Sequence, residues 1–114
     1  MAESQIQLNE ERKALAAKFG QLRPELGLHV QNTMIEAYKE GALSTKVKRL
    51  MALAIALGVG CRNCELHQAT AALEEGTTTE EILEVLDVVV SIRGTTGVAE
   101  SLRIIQLLEE MGKL

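Results

Sequence analysis

The chain has 114 residues and a net charge of −4, with 12 basic side chains against 16 acidic ones. Only one Phe, one Tyr and no Trp are present, so a core must be built from Leu, Ile, Val, Ala and Met. With no basic tract and almost no rings to stack on bases, the composition argues against nucleic-acid binding. The longest nearly apolar run, Leu50 to Val59, is about half the roughly 20 residues a membrane span needs. The opening MAESQIQLNEERK is too polar and acidic for a secretory signal. A soluble cytoplasmic protein is expected, a single domain over 1–114. A core this poor in rings gains from oligomerisation.

Taken in order, the punctuation marks off helices. Leu8, Leu15 and Phe19 predict a short first helix ending near Gly20. Pro24 suits the first turn of a second, with Leu28, Met34, Ile35 and Tyr38 inward and Gly41 as its stop. Ser44 is an N-cap for a third helix through Val47, Leu50, Met51, Leu53, Ala54 and Leu57. Apolar nearly all round, it reads as the central buried helix. Gly58 and Gly60 interrupt it, and a fourth helix runs from about 61 to 75, ending at Gly76. Thr78 followed by Glu81 reads as a capping box for a fifth helix. Its β-branched VLDVVVSI segment has the periodicity of a strand, but the cap and the acidic first turn favour helix. After Arg93-Gly94 a last helix carries Val98, Leu102, Ile105, Leu108 and Met111. The expected fold is all-α, with about six helices.

The chemistry concentrates in GVGCRNCELHQAT, residues 58 to 70, which holds the only 2 cysteines. In the cytoplasm such a pair is more often catalytic or metal-binding than structural. At the first turn of a helix, Cys61 and Cys64 have Cα atoms roughly 5 Å apart, within disulfide range. The free N–H groups of that turn and the macrodipole favour thiolate over thiol. Two small core residues remain the bland alternative. Zinc is a weaker reading, because Cys61, Cys64 and one histidine reach three ligands only awkwardly and no second C-x-x-C exists. Thioredoxin-type chemistry wants a βαβ context that this chain lacks. The dithiol must sit on a helical scaffold, with no cofactor or metal expected.

The run KVKRLMALAIALGVGCRNCELHQATAALEEGTTTEEILEVLDVVVSIRG resembles the carboxymuconolactone decarboxylase and alkylhydroperoxidase D superfamily, over roughly residues 44 to 110. The likeness rests on the apolar helix leading into C-x-x-C, the Ala-rich helix ending at Gly76, the T-x-x-E-I restart and the glycine turn at 94. It implies an alkylhydroperoxidase D-like helical fold assembling as trimers or hexamers. In the alkylhydroperoxidase D branch the dithiol reduces peroxides, or passes electrons from a thiol donor to a peroxiredoxin. Carried over by position, Cys64 is the peroxide-attacking thiol, and Cys61 its proton donor and resolving partner.

Two positions depart from that pattern. The family's glutamate twelve residues before the first cysteine is Arg49 here, and its histidine four residues after the second is Gln68. At 100° per residue, position 68 falls on the same stripe as both sulfurs, whereas His67 lies on the flank away from Cys61. Glutamine only hydrogen-bonds, and arginine stays protonated, so neither moves a proton near neutral pH. Arg49 is placed to stabilise a thiolate if it points at the sulfurs, and His67 is the candidate substitute acid–base group. His29 reads as structural or exposed, and Glu65 as a solvated helix-terminal charge. Glu36 and Tyr38 lie on a helix able to line the site.

The leading expectation is a thiol-dependent peroxidase or disulfide reductase acting on a peroxide or other small molecule, with a thiol reductant or peroxiredoxin as partner. The alternatives are a lactone decarboxylase, with Arg49 binding a carboxylate, and a non-catalytic helical oligomeric module.

Overall fold

The structure is a computed structural model describing residues 3–114. Six helices follow one another: α1 Gln5–Leu22, α2 Pro24–Tyr38, α3 Thr45–Val59, α4 Arg62–Glu74, α5 Thr79–Arg93 and α6 Thr95–Glu110. No strand occurs among the described residues, as the capping signals require. The Ser44 side chain accepts from the Val47 amide, and both hydrogen bonds of the Thr78–Glu81 capping box are made. Two orphan amides at the start of α5 are thereby satisfied, which holds VLDVVVSI in a helix against its β-branched composition.

Helices α3 and α4 form one hairpin and α5 and α6 another, with α3 packed on α5. Their shared core is Leu53 and Leu57 of α3, Leu66 and Ala69 of α4, Ile82, Leu86 and Val89 of α5, and Ile104, Leu107 and Leu108 of α6. Helix α1 lies across α4 and α6, while α2 packs chiefly on α1 and α3. The α5–α6 crossing is close at Gly97, where a Cβ would meet the Val89 carbonyl oxygen and the Val90 Cα at 3.2 Å.

Several sequence expectations need correction. Helix α1 runs past Gly20 to Leu22, and its buried side chains are the polar Gln5 and Asn9; Leu15 and Phe19 are exposed. Glycine costs a helix only about 1 kcal/mol, too little to end one that packs against a neighbour. Helix α2 buries no residue fully: Leu28 and Ile35 are exposed, Met34 and Tyr38 half-buried, and Lys39 rather than Gly41 caps it. In α3 one face reaches the core through Leu53, Ala56 and Leu57, while Val47, Met51 and Ile55 face outward, so it is not buried all round. It also continues through Gly58 and stops only at Gly60. In α6, Val98 and Leu102 are exposed as well. Among the described residues no helix is long and apolar enough to cross a membrane.

Candidate functional site

The turn between α3 and α4 builds the dithiol. Gly60 adopts a left-handed conformation, φ 74°, and the amides of Gly60 and Cys61 both donate to the Ala56 carbonyl at 3.0 Å. That ends α3 and leaves Cys61 as the N-cap of α4. Its Sγ accepts from the Cys64 amide at 3.3 Å, so a sulfur occupies the position where a serine or aspartate oxygen usually caps a helix. The two sulfurs are bonded across a Cα–Cα separation of 5.2 Å. Cys64 is exposed and Cys61 half-buried, so an incoming oxidant or thiol meets Cys64 first. Arg62 turns outward to pair with Glu3 at 2.7 Å.

Arg49 and Gln68, the two departures from the family pattern, touch each other. An Arg49 Nη1 donates to Gln68 Oε1 at 3.1 Å, tying α3 to α4 one turn below the sulfurs. The same guanidinium lies over the Tyr38 ring, 3.7 Å from its centroid, a cation–π contact reaching to α2. An amide–guanidinium contact thus stands where the resemblance implies acid and imidazole. Arg49, Tyr38, Thr45 and Lys39 also edge an apolar cavity of about 1100 Å³ walled by Phe19, Leu28, Met34 and Ile35.

His67 is half-buried beside α1, in a groove of about 310 Å³ with Arg12, Lys13, Ala16, Thr70 and Glu74. Neither cysteine lines that groove. Burial first, then the positive charges of Arg12 and Arg49, hold the imidazole below its ordinary pKa. Glu74 is the one acidic side chain of that groove and pulls the other way. His29 is exposed, and Glu36 is an exposed partner of Lys39 at 2.6 Å.

Glu65 overturns the expectation of a solvated charge. Its side chain is 0% exposed. Arg103 Nε of α6 is 3.5 Å from Oε1, yet neither carboxylate oxygen has a hydrogen-bond partner among the described residues. Burial above all, then the neighbouring Glu100 carboxyl, push its pKa up to about 7, against the pull of Arg103 and Arg93. Glu100 is held in turn by Arg93, whose Nη1 lies 3.3 Å from Oε2 and also donates to the Leu57 carbonyl at 2.6 Å. A Cβ on Gly60 would stand 3.5 Å from that Glu100 oxygen, so the pair abuts the turn that leads into Cys61. The one signal in the sequence was spacing: Glu65 is one helical turn after Cys61, on its stripe. No group of three or more His, Cys, Asp or Glu among the described residues is arranged to hold a metal ion.

An all-helical chain with C-x-x-C opening its fourth helix defines the class, and comparison gives the family. Residues 24–107 match the carboxymuconolactone decarboxylase family. The chain belongs to that family. An uncharacterised protein of Cupriavidus necator is 35% identical over 78 residues, covering 68% of this chain and 69% of that protein. A crystal structure of a carboxymuconolactone decarboxylase family protein from Legionella pneumophila, in its apo form, superposes with a TM-score of 0.86 at 27% identity. That likeness covers 93% of this chain and 95% of the other. A Thermotoga maritima protein shares the fold, with a TM-score of 0.70 at 24% identity over 94% and 91% of the two chains.

Proposed function

We propose that the protein is a thiol-dependent redox enzyme of the alkylhydroperoxidase D kind, a peroxidase or disulfide reductase working through Cys61 and Cys64. The observation that carries this reading is the pair's placement: both sulfurs meet at the N-terminal turn of α4, with Cys64 exposed. In the reaction, the Cys64 thiolate attacks the outer oxygen of a hydroperoxide and the O–O bond breaks. The alcohol or water leaves, and Cys64 becomes a sulfenic acid. Cys61 then attacks that sulfur, water departs, and the disulfide forms. A dithiol donor restores the pair by two exchange steps and is itself oxidised. The helix N-terminus lowers the energy of the thiolate throughout.

Arg49 and Gln68 supply no proton to this cycle. Their contact fixes the α3–α4 spacing, and Arg49 brings a fixed positive charge to the rim of the apolar cavity. His67 remains a candidate proton carrier only if its ring reaches back toward Cys64 across one turn. Peroxide treatment of single-cysteine variants in the presence of dimedone tests the assignment. Cys61→Ser is expected to accumulate a dimedone adduct on Cys64, whereas Cys64→Ser accumulates none. Absence of the adduct from both variants defeats the reading.

The cavity beside Arg49 favours one second reading, a lactone decarboxylase in which the guanidinium holds a substrate carboxylate. Decarboxylation that survives the Cys61→Ser/Cys64→Ser double substitution would select it over the first. Retention of two cysteines at a helix terminus is unexplained by that chemistry.

The working form is proposed to be a homo-oligomer, a trimer or hexamer, in the reducing cytoplasm. The accessible surface is 7047 Å², against about 6100 Å² for a monomer of this mass. The excess is apolar in part: Leu26, Leu28 and Ile35 of α2 are each more than half exposed. Sedimentation equilibrium giving a monomer at micromolar concentration would refute the assembly.

A further inference from the structure

The cavity between α1, α2 and α3 lies apart from the dithiol, and neither cysteine lines it. At about 1100 Å³ it is slightly above the roughly 300–1,000 Å³ of ordinary small-molecule clefts. Phe19 of α1 and Leu28, Met34 and Ile35 of α2 wall it, a mostly aliphatic surface that adapts to a flexible chain. Its only charged lining residues are the cations Lys39 and Arg49, in a protein whose net charge is −4. Lys39 is neutralised by Glu36 at 2.6 Å. Arg49 forms no ion pair among the described residues. Its guanidinium is nonetheless fixed in place: the Tyr38 ring lies 3.7 Å from it, and Gln68 accepts from Nη1 at 3.1 Å. A guanidinium carries several N–H donors in one planar fork, so the contact with Gln68 leaves most of the fork for another acceptor. A half-buried, oriented arginine with no counter-charge is preorganised for planar recognition of a carboxylate. One uncompensated positive charge matches a monoanion. A second copy of the chain packing an apolar face into the cavity would bury that charge unpaired, which is costly.

We propose that this cavity is a binding site for an aliphatic monocarboxylate of the fatty-acid type, its carboxylate on Arg49 and its chain against Phe19, Leu28, Met34 and Ile35. The head group lies at the α3 edge, where Arg49 reaches Gln68, and the chain runs between α1 and α2. Binding makes and breaks no covalent bond and leaves the cysteines out, so the site stands independently of the dithiol reading. It differs from the decarboxylase reading as well, since a fatty acid carries no lactone ring. The carboxylate supplies the counter-charge that Arg49 lacks, and the chain covers apolar side chains that are otherwise in contact with water: Phe19 is 47%, Leu28 55% and Ile35 64% exposed. Each methylene removed from water there adds up to about fourfold in affinity.

The test is isothermal titration calorimetry of the full chain with octanoate, decanoate and decan-1-ol, each below the concentration at which it aggregates. Decanoate is expected to bind saturably, one per chain, more tightly than octanoate and more tightly than the uncharged alcohol. Arg49→Gln is expected to weaken decanoate about 10–100-fold, the worth of a charge-assisted hydrogen bond, and to leave decan-1-ol unchanged. Binding of the alcohol by that variant also shows that the cavity is intact. Leu28→Glu, at an exposed wall position where the fold tolerates a charge, is expected to repel decanoate, and circular dichroism checks its folding. The Cys61→Ser/Cys64→Ser protein is expected to bind decanoate as the wild type does, so failure of the dithiol reading and failure of this site are seen separately. Absence of saturable decanoate binding overturns the proposal, as does decanoate binding that Arg49→Gln leaves unchanged. Loss of an oligomer in Leu28→Glu, with no decanoate bound by the wild type, would give the cavity to a second copy of the chain and likewise overturn it.

Discussion

At the scale of single residues, the site is defined as much by Arg49 and Gln68 as by the cysteines. Their hydrogen bond joins the two positions at which the resemblance implies an acid and an imidazole. Restoring only Gln68→His would set an imidazole against a guanidinium, which disfavours its protonated form. The double substitution Arg49→Glu/Gln68→His restores a titratable pair on the stripe of the sulfurs. Hydroperoxide-dependent oxidation of the reduced thiols near pH 7 is expected to rise roughly 10²-fold, in keeping with general acid–base catalysis. Stopped-flow rates measure this, and a double variant no faster than wild type would show that the relay position is not limiting. The cysteines were legible from their spacing, and both departures only through the resemblance to the family. The burial of Glu65 was not, because an acidic residue in a helix's first turn looks the same whether it faces water or a pocket. What buries it is Glu100 and Arg103, more than thirty positions further along the chain.

At the scale of elements, caps and close approaches hold the helices in register. Glu110 of α6 accepts from the Ser4 hydroxyl at 2.7 Å and from the amides of Gln5 and Ile6 at 3.0 and 3.1 Å. It thereby caps the N-terminus of a different helix, and those bonds hold its carboxyl down at about 2. A depressed carboxylate stabilises the fold above its unfolded pKa and loses that contribution as pH falls from about 4.5 toward 2. Glu110→Gln is therefore expected to lower the melting temperature at pH 6, and the gap to wild type should close by about pH 2. Thermal unfolding by circular dichroism measures both ends. Gly97→Ala forces a methyl group against the α5 backbone and is expected to cost about 1–3 kcal/mol in urea unfolding, unless α6 shifts freely. Ser44, Pro24, Gly76 and the Thr78–Glu81 box announced their helices correctly, because caps act through neighbours in sequence. The inward face of α2 was misread for the opposite reason. Apolar residues at helical spacing mark a face to be covered, and nothing local states whether the cover lies in the same chain.

At the scale of the whole molecule, the helices do not close evenly. The radius of gyration is 14.4 Å, against about 13 Å for a compact chain of this length, with α2 packed chiefly on two neighbours. The raised Glu65 carboxyl predicts an unusual pH dependence of stability. Glu65 is raised from an ordinary 4.5 to about 7, so the native state binds the extra proton between those values. Stability is then greatest near the lower end and declines as pH rises through that window, by at most about 3 kcal/mol. Urea midpoints measured from pH 4.5 to 8 should fall for the wild type and stay nearly level for Glu65→Gln. Parallel curves would mean that Glu65 is ionised throughout.

The central claim is that Cys61 and Cys64 turn over as a redox pair. It is tested most directly by following hydroperoxide consumption by the wild-type protein with dithiothreitol as reductant, with peptide mapping of the thiols after the reductant is withdrawn. The account predicts many equivalents of peroxide consumed per chain, a Cys61–Cys64 linked peptide at the end, and no turnover in Cys64→Ser. Free thiols after peroxide treatment, with consumption no faster than in the Cys64→Ser variant, would contradict it.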